Sequence, residues 1–205
     1  MSRLSPDKRM LEYALNDACS DIFAFSTTRH GGISTDTYAS LNCTPYTGDS
    51  AENVLRNQEL LLEALPQRPQ ELIIPCQTHG TASLVIDTDY LQTDPQTRHE
   101  RLQGIDALIT REPSVCLCIS TADCIPILLY DHRHQAIAAI HAGWRGTVNR
   151  IVRHTLERMQ TLYGTEGKDV QAVIGPGISL AAFEVGEEVY EAFRAAHFPM
   201  PYIAE

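Results

Sequence analysis

Three short turns of this sequence combine small residues with side chains that can bind a metal ion. They contain His79, Cys124 and His141, within the segments QTHG, ADCIP and HAGWRG. Each turn adjoins an apolar run typical of a strand, and loops at strand ends commonly carry functional side chains. Two imidazoles and one thiolate suit zinc with a fourth position open, which is the arrangement of a catalytic site.

Cys124 and His141 also fit a second chemistry, in which an imidazole activates a thiolate nucleophile. The two hypotheses compete for one sulfur, because a thiolate bound to zinc is a poor free nucleophile. A third alternative is that all three residues are ordinary buried residues, since free cysteine is among the most buried residue types. The spacing matches no local zinc-finger pattern, so metal content must decide between the first two.

Glycines and arginines near these turns predict an anion site. Gly143, Arg145 and Gly146 precede a predicted helix over 147–163, and the N-terminus of a helix favours negative charge. Arg29 stands before a pair of glycines and is a second candidate cation. Both arginines are therefore candidates for holding phosphate, and the alternative is a pair of surface arginines beside a capping turn.

Asp123 is a candidate proton carrier because it adjoins Cys124. Neighbouring side chains of a regular strand point in opposite directions, so its carboxylate reaches the reacting atoms only where the turn bends the chain. In a regular strand, Asp123 is expected to hold a ligand histidine instead.

Apolar periodicity predicts the elements that must position these residues. Strands are predicted at 22–28, 72–74, 84–86, 106–110, 115–120, 125–131, 136–143 and 170–175. A buried stripe predicts a helix over 147–163, and a last helix is expected over about 184–197. Residues 87–104 are polar and predict an exposed loop. This order favours an α+β fold with a mixed sheet and helices packed outside it.

Composition excludes several classes of protein. The 205 residues are 43% hydrophobic and 20% charged, typical of one folded domain rather than a disordered chain. A net charge of −10 repels phosphate backbones, so nucleic-acid binding is not expected. No apolar run reaches the ~18 residues of a membrane span, and the charged N-terminal segment does not resemble a secretory signal. We therefore expect a cytoplasmic protein without membrane association, and its irregularly spaced cysteines predict no disulfide framework.

A series of motifs, in this order, resembles a known family. They are TTRHGG (27–32), SLN (40–42), GD (48–49), QTHG (77–80), DAL (106–108), ADCIP (122–126), HAGWRG (141–146), IGP (174–176) and FEVG (183–186). Together they resemble the laccase-domain, or multicopper polyphenol oxidase-like, family over about residues 22–190. Its members have been called polyphenol oxidases, purine nucleoside phosphorylases and peptidoglycan editing factors.

The resemblance implies a fold and a metal. The fold is a single α+β domain over residues 1–205, with mixed β-sheets, similar to the toxin-deamidase-like cysteine hydrolases. The ligand set implied is His79, Cys124 and His141, which is the set that the residue types also indicate. Zinc is the metal expected, with copper as the alternative.

The resemblance also implies a function. It is zinc-dependent phosphorolysis of purine nucleosides, including methylthioadenosine, together with deamination of adenosine. Asn42 is then expected to bind substrate or phosphate alongside the glycines and arginines named above. Copper-dependent phenol oxidation stays open as an alternative, as do a Cys–His hydrolase or amidase acting on a peptidoglycan precursor and a binding module without catalysis. No oligomeric state is predicted.

The sequence departs from the family pattern in places. Tyr46 stands where a histidine is expected, and Gln58 stands where an arginine is usual. The family also continues well beyond the equivalent of residue 205. We therefore expect part of its usual sheet and substrate pocket to be missing here.

Overall fold

A computed structural model describes residues 2–203. Its strands, in chain order, are β1 (Arg3–Leu4), β2 (Met10–Glu12), β3 (Phe25–Thr27), β4 (Glu71–Ile73), β5 (Ser83–Ile86), β6 (Ala107–Thr110), β7 (Val115–Leu117), β8 (Ile125–Asp131), β9 (Ala136–Ala142) and β10 (Val170–Ile174). Its α-helices are α1 (Leu15–Ala18), α2 (Ala51–Ala64), α3 (Thr88–Gln92), α4 (Pro95–Arg101), α5 (Trp144–Val148), α6 (Ile151–Tyr163) and α7 (Glu187–Ala195). The chain forms two compact units, residues 2–72 with 114–116 and residues 73–113 with 117–203.

The first unit contains an antiparallel sheet and α2. The sheet has the order β1-β2-β3, and α2 buries Val54, Asn57 and Leu61 along one stripe. The buried amide of Asn57 donates hydrogen bonds to Ser34 Oγ and to the carbonyl oxygen of Asn42, both at 2.8 Å. Asn57 therefore holds the loop that joins β3 to α2.

The second unit is built on a five-stranded sheet with the order β10-β8-β9-β6-β5. Strands β5 and β6 are parallel, and the other neighbours are antiparallel. Strands β5, β6 and β8 therefore begin at the same edge at which β9 and β10 end, and we call this the site edge. The turn from β8 to β9 lies at the opposite edge, which we call the turn edge.

Apolar runs form the centre of this sheet, as expected for strands that are covered on both faces. All four residues of β6 are buried, and α6 packs Ile151 and Met159 into the hydrophobic core that covers this sheet. A separate two-stranded sheet pairs β4 with β7. The predicted α+β class with mixed sheets is confirmed. The likeness to toxin deamidases and the single domain over residues 1–205 stay predictions.

Two helical predictions were wrong. The expected helix over 147–163 is two helices, because the chain breaks at Arg150, whose φ is +60°. The expected loop over 87–104 forms α3 and α4, whose N-cap residues are Asp87 and Asp94. Their carboxylates accept N–H groups of the first helical turn, so capping rather than an apolar stripe marks these helices.

The helices within residues 2–203 are all too short or too polar to cross a membrane.

Candidate metal centre

His79, Cys124 and His141 converge at the site edge. His79 lies in the loop before β5, Cys124 directly precedes β8, and His141 is the penultimate residue of β9. Their candidate ligand atoms all lie within 4.8 Å of one another. Zinc bonds of about 2.0–2.3 Å put tetrahedral ligands about 3.5 Å apart, so small side-chain rotations let the three share one ion. Strand order, and not local spacing, brings them together.

The cluster has a buried side and an exposed side. His141 is buried, Cys124 is half-buried and His79 is exposed. The two imidazole rings meet edge to face, with centroids 4.8 Å apart and planes at 70°. A ligand can therefore approach the cluster from solvent on the side of His79.

Asp106 lies directly behind the cluster and is fully buried. Its Oδ1 accepts a hydrogen bond from His141 Nδ1 at 2.8 Å and another from the His79 N–H at 2.9 Å. Its Oδ2 accepts the Gly80 N–H at 2.7 Å and the Thr78 N–H at 3.2 Å. Burial acts to raise the pKa of this carboxyl, but these hydrogen bonds outweigh it and hold the pKa below its usual value.

From the sequence, Asp106 is known only as the first residue of the DAL motif, with no predicted role. Its one signal is a single acidic residue immediately before a strand that is apolar on both faces.

The Cys124 thiol has the opposite electrostatic setting. Burial raises its pKa, and the nearby carboxylates of Asp123 and Asp106 raise it further. These effects disfavour the thiolate form of Cys124. Asp123 itself is exposed, and its carbonyl oxygen accepts the Ile178 N–H at 2.9 Å. Its catalytic role stays a prediction.

The two predicted anion-binding glycines have steric reasons for their identity. A Cβ on Gly143 would lie 3.0 Å from Cys124 Sγ and 3.0 Å from His79 Cδ2, so glycine leaves room for the cluster. A Cβ on Gly146 would lie 3.1 Å from the carbonyl oxygen of Gly80. Close packing therefore accounts for Gly146, and phosphate binding by either glycine stays a prediction.

The predicted arginines and Asn42 are placed as follows. Arg145 is exposed, and its guanidinium lies 4.1 Å from the centre of the Trp144 ring. Arg29 and Asn42 belong to the first unit. Arg29 Nε donates to the Ala39 carbonyl oxygen at 2.9 Å, and Asn42 Nδ2 donates to Asp49 Oδ2 at 3.0 Å. Their roles toward a substrate stay predictions.

Known proteins resemble this chain over nearly all of its length. The family described as multi-copper polyphenol oxidoreductase laccase matches residues 23–204. A Bacteroides thetaiotaomicron protein named purine nucleoside phosphorylase is 61% identical over 204 residues, which are 100% of this chain and 76% of that protein. The protein named adenosine deaminase RL5, from an unknown prokaryotic organism, is 41% identical over 175 residues. Those residues are 85% of this chain and 66% of that protein.

A solved structure supports the same relationship. The hypothetical protein YfiH of Bacillus licheniformis superposes with a TM-score of 0.85 at 26% identity, over 97% of this chain and 72% of that one. With its mixed α+β fold and its His–Cys–His cluster, the chain belongs to the multi-copper polyphenol oxidoreductase laccase family. The resemblance found in the sequence is thereby confirmed. The chain spans about two thirds to three quarters of the length of these relatives.

Proposed function

We propose that this chain carries the active site of a zinc-dependent purine nucleoside phosphorylase that also deaminates adenosine and cleaves methylthioadenosine. The convergence of His79, Cys124 and His141 within 4.8 Å carries the proposal. The names of the two relatives support the substrate class. Because the chain covers only part of those relatives, activity of this stretch alone is part of the proposal, as is the cytoplasmic location.

The donor set fits a zinc ion. Two imidazole nitrogens and a thiolate leave one of four positions open, as in catalytic zinc sites. Asp106 occupies Nδ1 of His141, which leaves Nε2 of that ring as the ligand atom. The missing Cβ at Gly143 keeps the space around Cys124 and His79 clear.

In the proposed reactions, bound zinc supplies Lewis acidity that brings the pKa of water toward neutrality. In deamination, water adds to C6 of adenosine and ammonia leaves, giving inosine. In phosphorolysis, phosphate displaces adenine from C1′ of the ribose, giving adenine and ribose 1-phosphate. Asp123 is proposed to carry the proton that each leaving group takes up.

Binding of the phosphate and the nucleoside is assigned to the basic and small residues near the turns. Arg145 is exposed in α5, two residues after Gly143, and a guanidinium matches phosphate with paired donors. Gly143 and Gly146 are proposed to bind phosphate in the second unit, and Arg29 and Asn42, in the first unit, are each proposed to bind substrate or phosphate.

A metal-free Cys–His hydrolase is the second candidate, because Asp106, His141 and Cys124 follow the order of an orienting group, a base and a nucleophile. The raised pKa of Cys124 weighs against it, since that chemistry needs a thiolate. His79 separates the two hypotheses, because a metal site uses this imidazole and a Cys–His pair does not.

Copper is the alternative metal, since the family description names it and a His–Cys–His set also suits copper. Multicopper oxidation needs several such sites. Within the described residues, one group of three potential metal ligands is present, and it consists of His79, Cys124 and His141.

Elemental analysis and nucleoside assays on protein purified without added metal test the proposal. We expect about one zinc per chain and phosphate-dependent release of adenine from adenosine. Cys124→Ala and His79→Asn are both expected to abolish it, and asparagine suits the positive φ of residue 79. If the metal-free His79→Asn protein still turned over adenosine, the result would favour the metal-free hydrolase. If the purified protein contained copper and oxidised phenols, the result would favour the oxidase.

A further inference from the structure

We infer that Asp106 is a positioning residue that fixes both histidines of the cluster with one carboxylate. The inference rests on the proposed function only in that the cluster binds a divalent metal ion. His79 lies in the loop before β5 and His141 lies in β9, and both donate a hydrogen bond to Asp106.

Asp106 holds His141 at two points. The carboxylate Oδ1 accepts the ring Nδ1–H at 2.8 Å, and the Asp106 carbonyl oxygen accepts the His141 N–H at 2.8 Å. Side chain and backbone of His141 are therefore both fixed to one residue. A carboxylate on Nδ1 selects the tautomer with a free lone pair on Nε2.

The same carboxylate holds His79 through the backbone. Three successive N–H groups, those of Thr78, His79 and Gly80, converge on its two oxygens. His79 has a φ of +62°, in the left-handed region that non-glycine residues seldom adopt. The converging N–H groups account for this conformation, and it sets the direction in which the His79 side chain leaves the turn.

An asparagine at position 106 cannot replace all four contacts. With its oxygen in place of Oδ1 it keeps His141 Nδ1 and the His79 N–H, but its NH₂ group then faces the N–H donors of Thr78 and Gly80 and pushes the turn away. With the amide reversed, the NH₂ group faces His141 Nδ1–H and the His79 N–H instead. Asp106→Asn is nearly equal in size to the wild type, so the change is in hydrogen bonding and charge. The expected consequence is a misplaced ligand at one histidine or at both.

Asp131 provides a matched control at the turn edge. Its carboxylate is also fully buried, and it accepts His134 Nδ1 at 2.8 Å and the N–H groups of Arg133 and His134 at 3.0 and 3.1 Å. Asp131→Asn therefore removes the same kind of interaction from a place where no ligand histidine depends on it.

The decisive measurement is zinc affinity by competition with a chromophoric chelator. Loss of a partner that orients a ligand typically weakens binding by about 10- to 100-fold, which we expect for Asp106→Asn. We expect zinc affinity in Asp131→Asn to stay at the wild-type level, although thermal unfolding of both metal-free variants occurs at lower temperature. Wild-type affinity in a folded Asp106→Asn protein would overturn the inference.

A second measurement needs neither a variant nor a metal. The ¹⁵N shifts of His141 in the metal-free wild-type protein report its tautomer, and we expect the proton on Nδ1. A proton on Nε2 would overturn the inference even where Asp106→Asn fails to fold. Neither measurement uses nucleoside turnover. A wild-type protein that binds no zinc contradicts the proposed function, while the tautomer still tests Asp106.

Discussion

The two edges of the five-stranded sheet carry the same pair of residues with different surroundings. At the site edge, Asp106 accepts His141 Nδ1, and at the turn edge Asp131 accepts His134 Nδ1, both at 2.8 Å. Both carboxylates are fully buried and also accept backbone N–H groups. The chemical unit is therefore the same, and what differs is what the other nitrogen of each histidine faces.

Chain connectivity explains this difference. His134 follows Asp131 by three residues, so that pair closes its own turn, and the His134 Nε2 lies 3.9 Å from where a Cβ on Gly164 would stand. His141 is 35 residues from Asp106 and shares its neighbourhood with Cys124. A buried Asp–His pair thus stabilises a turn when it is local. It can serve a metal site when the sheet topology brings further ligands to it.

The largest effect should come from removing one histidine at each edge. We expect His79→Asn to weaken zinc binding by more than about 100-fold, because it deletes a ligand rather than a partner of one. His134→Asn should leave zinc affinity unchanged. It should lower the free energy of unfolding by about 1–3 kcal/mol, because Asp131 loses a charge-assisted donor. Chelator competition and denaturant unfolding of both variants measure this, and equal zinc affinities would erase the distinction between the edges.

A smaller effect is expected from one methyl group at each edge. In Gly143→Ala the new Cβ would meet Cys124 Sγ and His79 Cδ2 at 3.0 Å, so the cluster must shift by a few tenths of an ångström. We expect zinc affinity to fall roughly 10-fold, at the lower end of the losses seen when ligand orientation is disturbed.

Gly164→Ala is the matched substitution for Gly143→Ala. Its φ of +77° makes alanine unfavourable by about 1 kcal/mol, and this destabilisation should appear in unfolding without any change in zinc affinity. An unchanged affinity in Gly143→Ala would show that the ligand atoms are less tightly packed than their distances indicate.

Much of the second unit could be predicted from sequence because its strands are apolar on both faces. The predicted strand over 125–131 has the bounds observed for β8. The apolar stripe continues across Arg150, so the break between α5 and α6 has no signal in periodicity. Helices α3 and α4 lack such a stripe and depend on their capping aspartates.

The candidate site was predictable only in part. Residue type singled out His79, Cys124 and His141, but their convergence depends on strand order, which no local spacing encodes. Asp106 could not be singled out as functional from the sequence, because an aspartate directly before a strand is common. Its importance comes from four hydrogen bonds to segments that are distant in sequence.

The smallest difference between the two edges is expected in the acid unfolding of the metal-free protein. Burial acts to raise the pKa of Asp106 and of Asp131, but hydrogen bonds hold both below the usual 3.8. At Asp106 these come first from His141 and then from backbone N–H groups, and at Asp131 first from Thr165 and then from His134. A carboxyl group with a lowered folded-state pKa stabilises the fold above its unfolded-state pKa. It loses that contribution as the pH falls through the folded-state pKa.

The free energy of unfolding should therefore decrease as the pH drops below 3.8, the ordinary aspartate value. Asp106→Asn and Asp131→Asn should each make this decrease shallower, by similar amounts, because each removes one such carboxyl group. Denaturant titrations from neutral pH to about pH 2 measure the slopes. A slope that changes in only one variant would mean that the two buried pairs, alike in geometry, differ in charge. The difference between the two edges would then lie in the charge of each buried pair as well as in the additional ligands at the site edge.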